Sequence, residues 1–221
     1  MADGTLYLGT RRYSSWSLRG WLAVRMAGLQ VLEVVIPLTG QGTPEVKAIS
    51  PSGLVPYLRH GGIDIWETLA IAEYCAELAP HLWPAAAAAR AHARAIAAEM
   101  HAGFGALRQA MPMNLGRVIA GAGQTLGSLA DIARIETLWR DTRARYGQGG
   151  RFLFGADFTL ADAMYAPVVA RLLTYRPALA PDTLDYCAAV RGFPLVAEWY
   201  DGAAGEPAEW LLDKYESVAA P

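Results

Sequence analysis

Cysteine, histidine, net charge and long apolar runs are all scarce in this chain, and each scarcity narrows what it can do. Only two cysteines, Cys75 and Cys187, occur in 221 residues, and neither has a second thiol within three positions. That spacing points away from a disulfide framework and from a thiolate metal cage. The four histidines lack the paired spacings of a zinc site, so no metal is expected. Lys and Arg number 19 against 21 Asp and Glu, a net charge of -2, with the arginines scattered. Nucleic acid, which needs a basic stripe, is not an expected partner. The most apolar stretches, Val34 to Leu38 and Tyr165 to Leu173, are interrupted by Pro or Arg well short of the ~20 residues that cross a bilayer, so no membrane span is expected. The opening Met1-Ala2-Asp3-Gly4 is not the basic-then-apolar layout of a secretory signal. Together with the cysteine usage this gives a reducing cytoplasm as the expected compartment.

What the chain has is apolar residues, 53% of the total, enough to core one large domain or two smaller ones. Two grammars divide it. Residues 1–79 alternate strand and helix signals: Thr5 to Gly9, a helix from Ser15 to Ala27 stopped by Gly28, then Leu32 to Leu38, a βαβ unit. Two brief strands follow, Val55 to Arg59 and Ile63 to Trp66, about a Gly61-Gly62 turn, then a helix from Glu67 to Leu78. Residues 80–84, with a proline at each end, read as a linker. From 85 to 221 strand signals vanish and helices are expected over Ala85–Met111, Leu129–Tyr146, Leu160–Tyr175, Thr183–Val190 and Leu195–Ala203. The fold class is therefore α/β followed by all-α.

Several segments carry candidate chemistry, each with a plain structural alternative. Gly121-Ala122-Gly123-Gln124-Thr125-Leu126-Gly127 is read as an inter-helix loop, since its third glycine comes one residue late and no strand precedes it. Tyr13-Ser14-Ser15-Trp16-Ser17-Leu18-Arg19 brings hydroxyls to the positive end of the first helix, a place for an anion or simply for an N-cap serine. Pro56, at the start of a strand, is either an ordinary trans edge proline or a cis residue whose predecessor Val55 turns its N–H and C=O to a peptide-like ligand. Glu67 and Thr68 either cap their helix or take the ammonium and carboxylate of an α-amino acid head group. Thr159-x-x-Asp162 is a capping box, which makes Asp162 a folding residue.

In order and spacing these segments, Tyr-Ser-Ser-Trp-Ser-Leu-Arg, Ser-Gly-Leu-Val-Pro, Trp-Glu-Thr-Leu-Ala-Ile-Ala-Glu-Tyr and Phe-Thr-Leu-Ala-Asp, resemble the glutathione S-transferase family over nearly the whole chain. The resemblance implies a thioredoxin-like N-terminal domain that binds glutathione as co-substrate, an all-helical C-terminal domain carrying the site for a hydrophobic electrophilic small molecule, and a homodimer. It assigns the backbone of Val55, beside Leu54 and Pro56, to the cysteinyl unit and Glu67 with Thr68 to the γ-glutamyl head. Ser14 or Ser15 would hold the thiolate, Ser14 taken first, with Tyr7 as the competitor of the tyrosine-type members. Leu54 stands where many relatives have a polar residue.

A free thiol of this kind ionises near pH 8.5, so a hydroxyl and a helix N-terminus, aided by Arg11, Arg12 or Arg19, would have to lower it by about two units, near 2.7 kcal/mol. Trp16 replaces the cysteine of the family's zeta-like members, and Thr174 replaces their acid-binding cation, with Arg171 or Arg176 as substitutes. The electrophile pocket is assigned to Trp16, Phe104 and the Met111-Pro112-Met113-Asn114 break in the first long helix; a kinked core helix is the alternative. Three functions are carried forward: a glutathione transferase, a glutathione-dependent cis-trans isomerase of maleylacetoacetate type, and a non-enzymatic interaction module.

Overall fold

The computed structural model describes residues 2–40 and 42–218. A four-stranded mixed sheet, order β2-β1-β3-β4, forms the first half. β1 (Gly4–Gly9) and β2 (Val31–Ile36) pair in parallel through α1 (Ser15–Met26), while β3 (Tyr57–His60) and β4 (Ile63–Trp66) are antiparallel. Leu6, Leu8 and Leu58 of the inner strands have no exposed surface and meet Leu18 and Leu22 of α1 and Ile71 of α3 (Thr68–Leu78) in one core. Gly28, at φ +71, lets the chain leave α1 toward β2. A short helix α2 (Pro44–Ile49) lies between β2 and β3. It was not anticipated, although Thr43-Pro44-Glu45 carries proline and acid in the first turn.

A 3-10 turn at Pro80–Leu82 leads to the helical half, α4 (Ala87–Ala102), α5 (Gly105–Ala110), α6 (Leu126–Tyr146), α7 (Leu160–Tyr175), α8 (Pro181–Arg191) and α9 (Pro194–Ala204). The single helix expected over Ala85–Met111 is two. It breaks at Gly103, and Phe104 takes a left-handed conformation at φ 55, in a Gly-Phe-Gly run of poor helix formers. The strand expected from Val55 starts at Tyr57, after a proline that has no N–H for the ladder. α6 starts three residues early because Thr125 and Ser128 form a capping box of their own. The tail after α9 adds a 3-10 turn (Ala208–Trp210) and α10 (Asp213–Glu216), both unanticipated.

α7 is the axis of the helical half, with almost every residue buried. Asp162, fully buried, accepts hydrogen bonds from Leu153 N (3.0 Å), Thr159 N (2.9 Å), Thr159 Oγ1 (2.9 Å) and the Tyr186 hydroxyl (3.0 Å). Burial pushes its carboxyl up and these four donors oppose that shift. On the α1 side of α7, Arg19 Nε donates to Met164 O at 2.7 Å, tying the two halves together.

Candidate active site

A cleft of about 350 Å³ opens between the N-terminus of α1, the β2–α2 loop and residues 53–55 on one wall, and α5, Pro112-Met113, α7 and the C-terminal tail on the other. Ser14, Ser15, Trp16, Leu54 and Val55 line it; Pro56, Glu67, Thr68, Phe104, Met111 and Asn114 do not.

The two serines differ in what they are bonded to. Ser14 is the N-cap of α1: its Oγ accepts from Ser17 N at 3.3 Å and donates to Ser17 Oγ at 2.7 Å, and Ser17 Oγ in turn accepts from Gly9 N. The capping role thus belongs to Ser14. Ser15 begins the helix, and its Oγ accepts from Arg171 Nη2 at 3.3 Å. Its proton is not spent on any of the described residues. The Trp16 N–H in the same first turn also has no partner among them.

The Val55-Pro56 bond is cis. Val55 lines the cleft, and its backbone N–H and C=O have no partner among the described residues. Pro56 is buried behind it against α1, where a Cβ built on Gly20 would stand 2.7 Å from Pro56 Cγ. Glu67 occupies the N-cap position of α3, but its carboxylate does not do the capping. It makes no side-chain cap bond, stands at φ 74, a conformation that costs a non-glycine residue of order 1–3 kcal/mol, and pairs with His101 Nε2 at 3.2 Å. Thr68 is buried and donates to Trp16 O at 3.4 Å, so the first turns of α1 and α3 touch directly.

Three of the residues expected around the electrophile lie behind the cleft wall. Met111 is fully buried and packs at Gly123, Phe104 is buried as the N-cap of α5, and Asn114 Nδ2 holds Tyr215 O (3.3 Å) and Glu216 Oε1 (3.0 Å) of the tail. The cleft wall at this break is Pro112 and Met113, because α5 stops at Ala110 and turns the intervening side chain inward. Tyr7 stacks on Tyr57 at 5.5 Å and stays out of the cleft, as does Arg176 at the end of α7. Arg11 pairs with Glu33 at 2.8 Å. Thr174 is buried and donates to Asn114 O. Tyr13 lines the cleft, but its hydroxyl donates to Glu216 at 2.5 Å, and burial with that carboxylate pushes it up to about 12.

The electrostatics are one-sided. Arg108, Arg171 and Lys214 line the cleft, and among the described residues no Asp or Glu does. Arg19 and Arg108 lie over the Trp16 ring at 4.7 and 5.5 Å from its centroid, and His101 packs against the same ring at 5.1 Å. Arg108 Nη1 donates to His101 O at 3.1 Å, Arg171 Nη1 to Pro167 O at 3.0 Å, and neither guanidinium has a carboxylate among the described residues. Burial, and then Arg108, bring Arg171 down to about 10, so it keeps its charge at neutral pH. Arg171 Nε and Arg19 Nη2 are buried without a partner among the described residues. Arg108 was not anticipated: a lone cation inside an apolar run carries no signal until α5 is set against Trp16. Among the described residues no group of His, Cys, Asp and Glu could hold a metal ion.

Comparison with known proteins bears on both halves of the chain. Residues 13–78 match the glutathione S-transferase N-terminal domain and residues 84–202 the C-terminal domain. A probable maleylacetoacetate isomerase of Caenorhabditis elegans is 30% identical over 179 residues, 80% of this chain and 82% of that protein. Among solved structures, a glutathione transferase homolog from Burkholderia BGR1 with bound glutathione superposes with a TM-score of 0.70 at 23% identity, covering 92% of this chain and all of that one. A theta class glutathione S-transferase of Xanthomonas axonopodis pv. citri with glutathione bound gives 0.66 at 22%, covering 94% and 99%. At such identities the superpositions establish the fold.

Proposed function

Because the chain belongs to the glutathione S-transferase family, we propose that it is a glutathione transferase in which Ser15, at the start of α1, holds the thiol of glutathione as thiolate for attack on an electrophilic small molecule. The observation that carries this is the Arg171–Ser15 hydrogen bond. The guanidinium occupies a lone pair of the hydroxyl, so the serine proton is left to donate to sulfur and the cation stands behind it. The α1 N-terminus adds its dipole and the uncommitted Trp16 N–H. The order of the two serines is therefore the reverse of the sequence expectation, with Ser14 supporting the turn through Ser17.

The tripeptide lies along the wall of residues 53–55. Val55 supplies N–H and C=O to the cysteinyl unit, with Leu54 beside it and Pro56 fixing the backbone from behind. Glu67 takes the γ-glutamyl ammonium, and the first-turn N–H groups of α3, beginning with that of Thr68, take the adjacent carboxylate. Residues 1–79 are the glutathione domain, 80–84 the linker, and 85–221 carry the electrophile site around Trp16, Arg108, Pro112 and Met113. Phe104, Met111 and Asn114 brace it from the interior. The reaction forms a carbon–sulfur bond, and the electrophile's leaving group or the added proton balances it; holding both reactants together adds an effective-concentration gain. A cytoplasmic homodimer serving detoxification completes the reading, with the exposed Ile63 and Trp66 of edge strand β4 as a surface for the second copy.

The isomerase reading has a specific observation in its favour: two cleft guanidiniums, Arg108 and Arg171, with no carboxylate partner among the described residues suit an acidic substrate. Loss of acidic-diene turnover in Arg108→Ala, with conjugation of a neutral electrophile retained, would support it.

Ultraviolet titration of bound glutathione tests the main reading. The thiolate absorbance should persist in Ser14→Ala and shift to higher pH by at least one unit in Ser15→Ala. An unshifted Ser15→Ala titration refutes the assignment of the donor, and absence of glutathione binding to the parent protein leaves the interaction module.

A further inference from the structure

The tail after α9 is built into the cleft. Glu206 accepts from the N–H groups of Arg11 (2.5 Å) and Arg12 (3.1 Å), Tyr13 OH donates to Glu216, and Leu212 N donates to Tyr13 OH at 3.3 Å. The rings of Tyr13 and Tyr215 pack at a tilt of 35° with centroids 5.1 Å apart. On the helical side Asn114 Nδ2 holds Glu216 and Tyr215 O, and Arg117 donates to the Glu216 and Val218 carbonyls. The tail is thus strapped to both walls. It places Leu212, Lys214 and Tyr215 in the cleft lining. Lys214 Nζ reaches across to Gly40 O of the β2–α2 loop at 3.0 Å and has no carboxylate partner among the described residues.

Resting on the glutathione reading above, the geometry points to Lys214 as the cation that selects the glycyl carboxylate of the tripeptide. The γ-glutamyl end is taken at α3 and the cysteinyl unit at Val55. The third unit then runs to the opposite end of the same wall, where Gly40, Gly42 and Thr43 bound the cleft and Lys214 stands over Gly40. Among the described residues no acidic side chain lines that end to repel a carboxylate. The carbonyl of Gly40 already orients the ammonium and satisfies one of its three donors, leaving two for the ligand. A cation delivered by α10 makes the tail part of the ligand site and not a cover over it. Lys47 is the rival cation: its Cε lies 3.1 Å from a Cβ built on Gly42, but it does not line the cleft.

Calorimetric binding of glutathione and of its glycyl ethyl ester, which lacks only that negative charge, separates the possibilities. The parent protein should bind the acid about three- to tenfold tighter than the ester, the range an exposed charge-assisted contact supports, and the ratio should shrink in 0.5 M salt. Lys214→Gln should bring the ratio to within twofold by weakening the acid alone, Lys214→Arg should restore it, and Lys47→Gln should leave it at the parent value. A parent-like ratio in Lys214→Gln, or its loss in Lys47→Gln, overturns the assignment while glutathione binding itself stands. Failure of the parent protein to bind either ligand overturns the glutathione reading and this one with it.

Discussion

Replacing Arg171 by Met tests the electrostatic core of the site, and its effect can be sized from the geometry. Arg171 Nη2 is 3.3 Å from Ser15 Oγ, so a sulfur hydrogen-bonded about 3 Å beyond that hydroxyl would lie roughly 6 Å from the charge. At an effective dielectric of about 20, two unit charges that far apart attract by roughly 3 kcal/mol. The cleft is open to water on one side, so about half of that is expected to survive, near one pKa unit. The assay is the pH profile of kcat/KM with an uncharged activated aryl halide. With the thiol near 6.5 in the parent and about one unit higher in the variant, Arg171→Met should lose about eightfold at pH 6 and about threefold at pH 7, and the loss should fade toward pH 9.5, where the thiol ionises without help. Thermal unfolding supplies the control. Arg171 is buried with its Nε unpartnered, so an apolar replacement of similar length removes a desolvation cost and should leave the midpoint unchanged or raise it. A profile lowered equally at every pH, or a collapse of the midpoint, would show that Arg171 holds the helices together and does not act on the sulfur.

Asp162→Ala should cost about 3 kcal/mol or more, since four donors around a fully buried carboxylate lose their acceptor; a drop of roughly 6–12 °C in midpoint is expected, with specific activity of the folded fraction at 15 °C within twofold of the parent. Gly20→Ala would ordinarily stabilise a helix interior by about 1 kcal/mol, but here its Cβ stands 2.7 Å from Pro56 Cγ. The expected outcome is a several-fold higher KM for glutathione and no gain in stability, and a parent-like KM would mean that the Val55-Pro56 segment is not the ligand wall.

The parts of the fold that were legible are those whose signals are local. α7 begins where the Thr159-x-x-Asp162 box puts it, and β1, α1 and β4 follow their own periodicity and stops. What was missed depends on contacts between distant segments. α2 and α10 have six and four residues, too short to be stable alone, and they exist because the cleft and the tail pack them. The serines show the same limit at finer scale. Ser14 and Ser15 are chemically alike in sequence, and one position on a helix rotates a side chain by about 100°. That rotation gives one hydroxyl to the cap and the other to an arginine 156 residues away. Glu67 read equally well as a cap or as a ligand group until His101, on α4, was found at its carboxylate.

The chemistry and the folding of this chain meet on α7 without sharing a face. Asp162 and Arg171 are nine residues apart, about 13.5 Å of rise and two and a half turns. They therefore point to opposite sides, Asp162 to Tyr186 of α8 and Arg171 to Ser15 of α1. One side of the helix holds a carboxylate with each of its four donors paired to it. The other carries guanidinium atoms with no partner among the described residues, a destabilising arrangement that a protein retains where the charge is used. The capping network offsets that cost by fixing the start of the helix, and the rigid helix transmits the position to Arg171. It follows that variants at Asp162 should lose folded protein before they alter the pH profile, and variants at Arg171 should alter the profile before they lose folded protein.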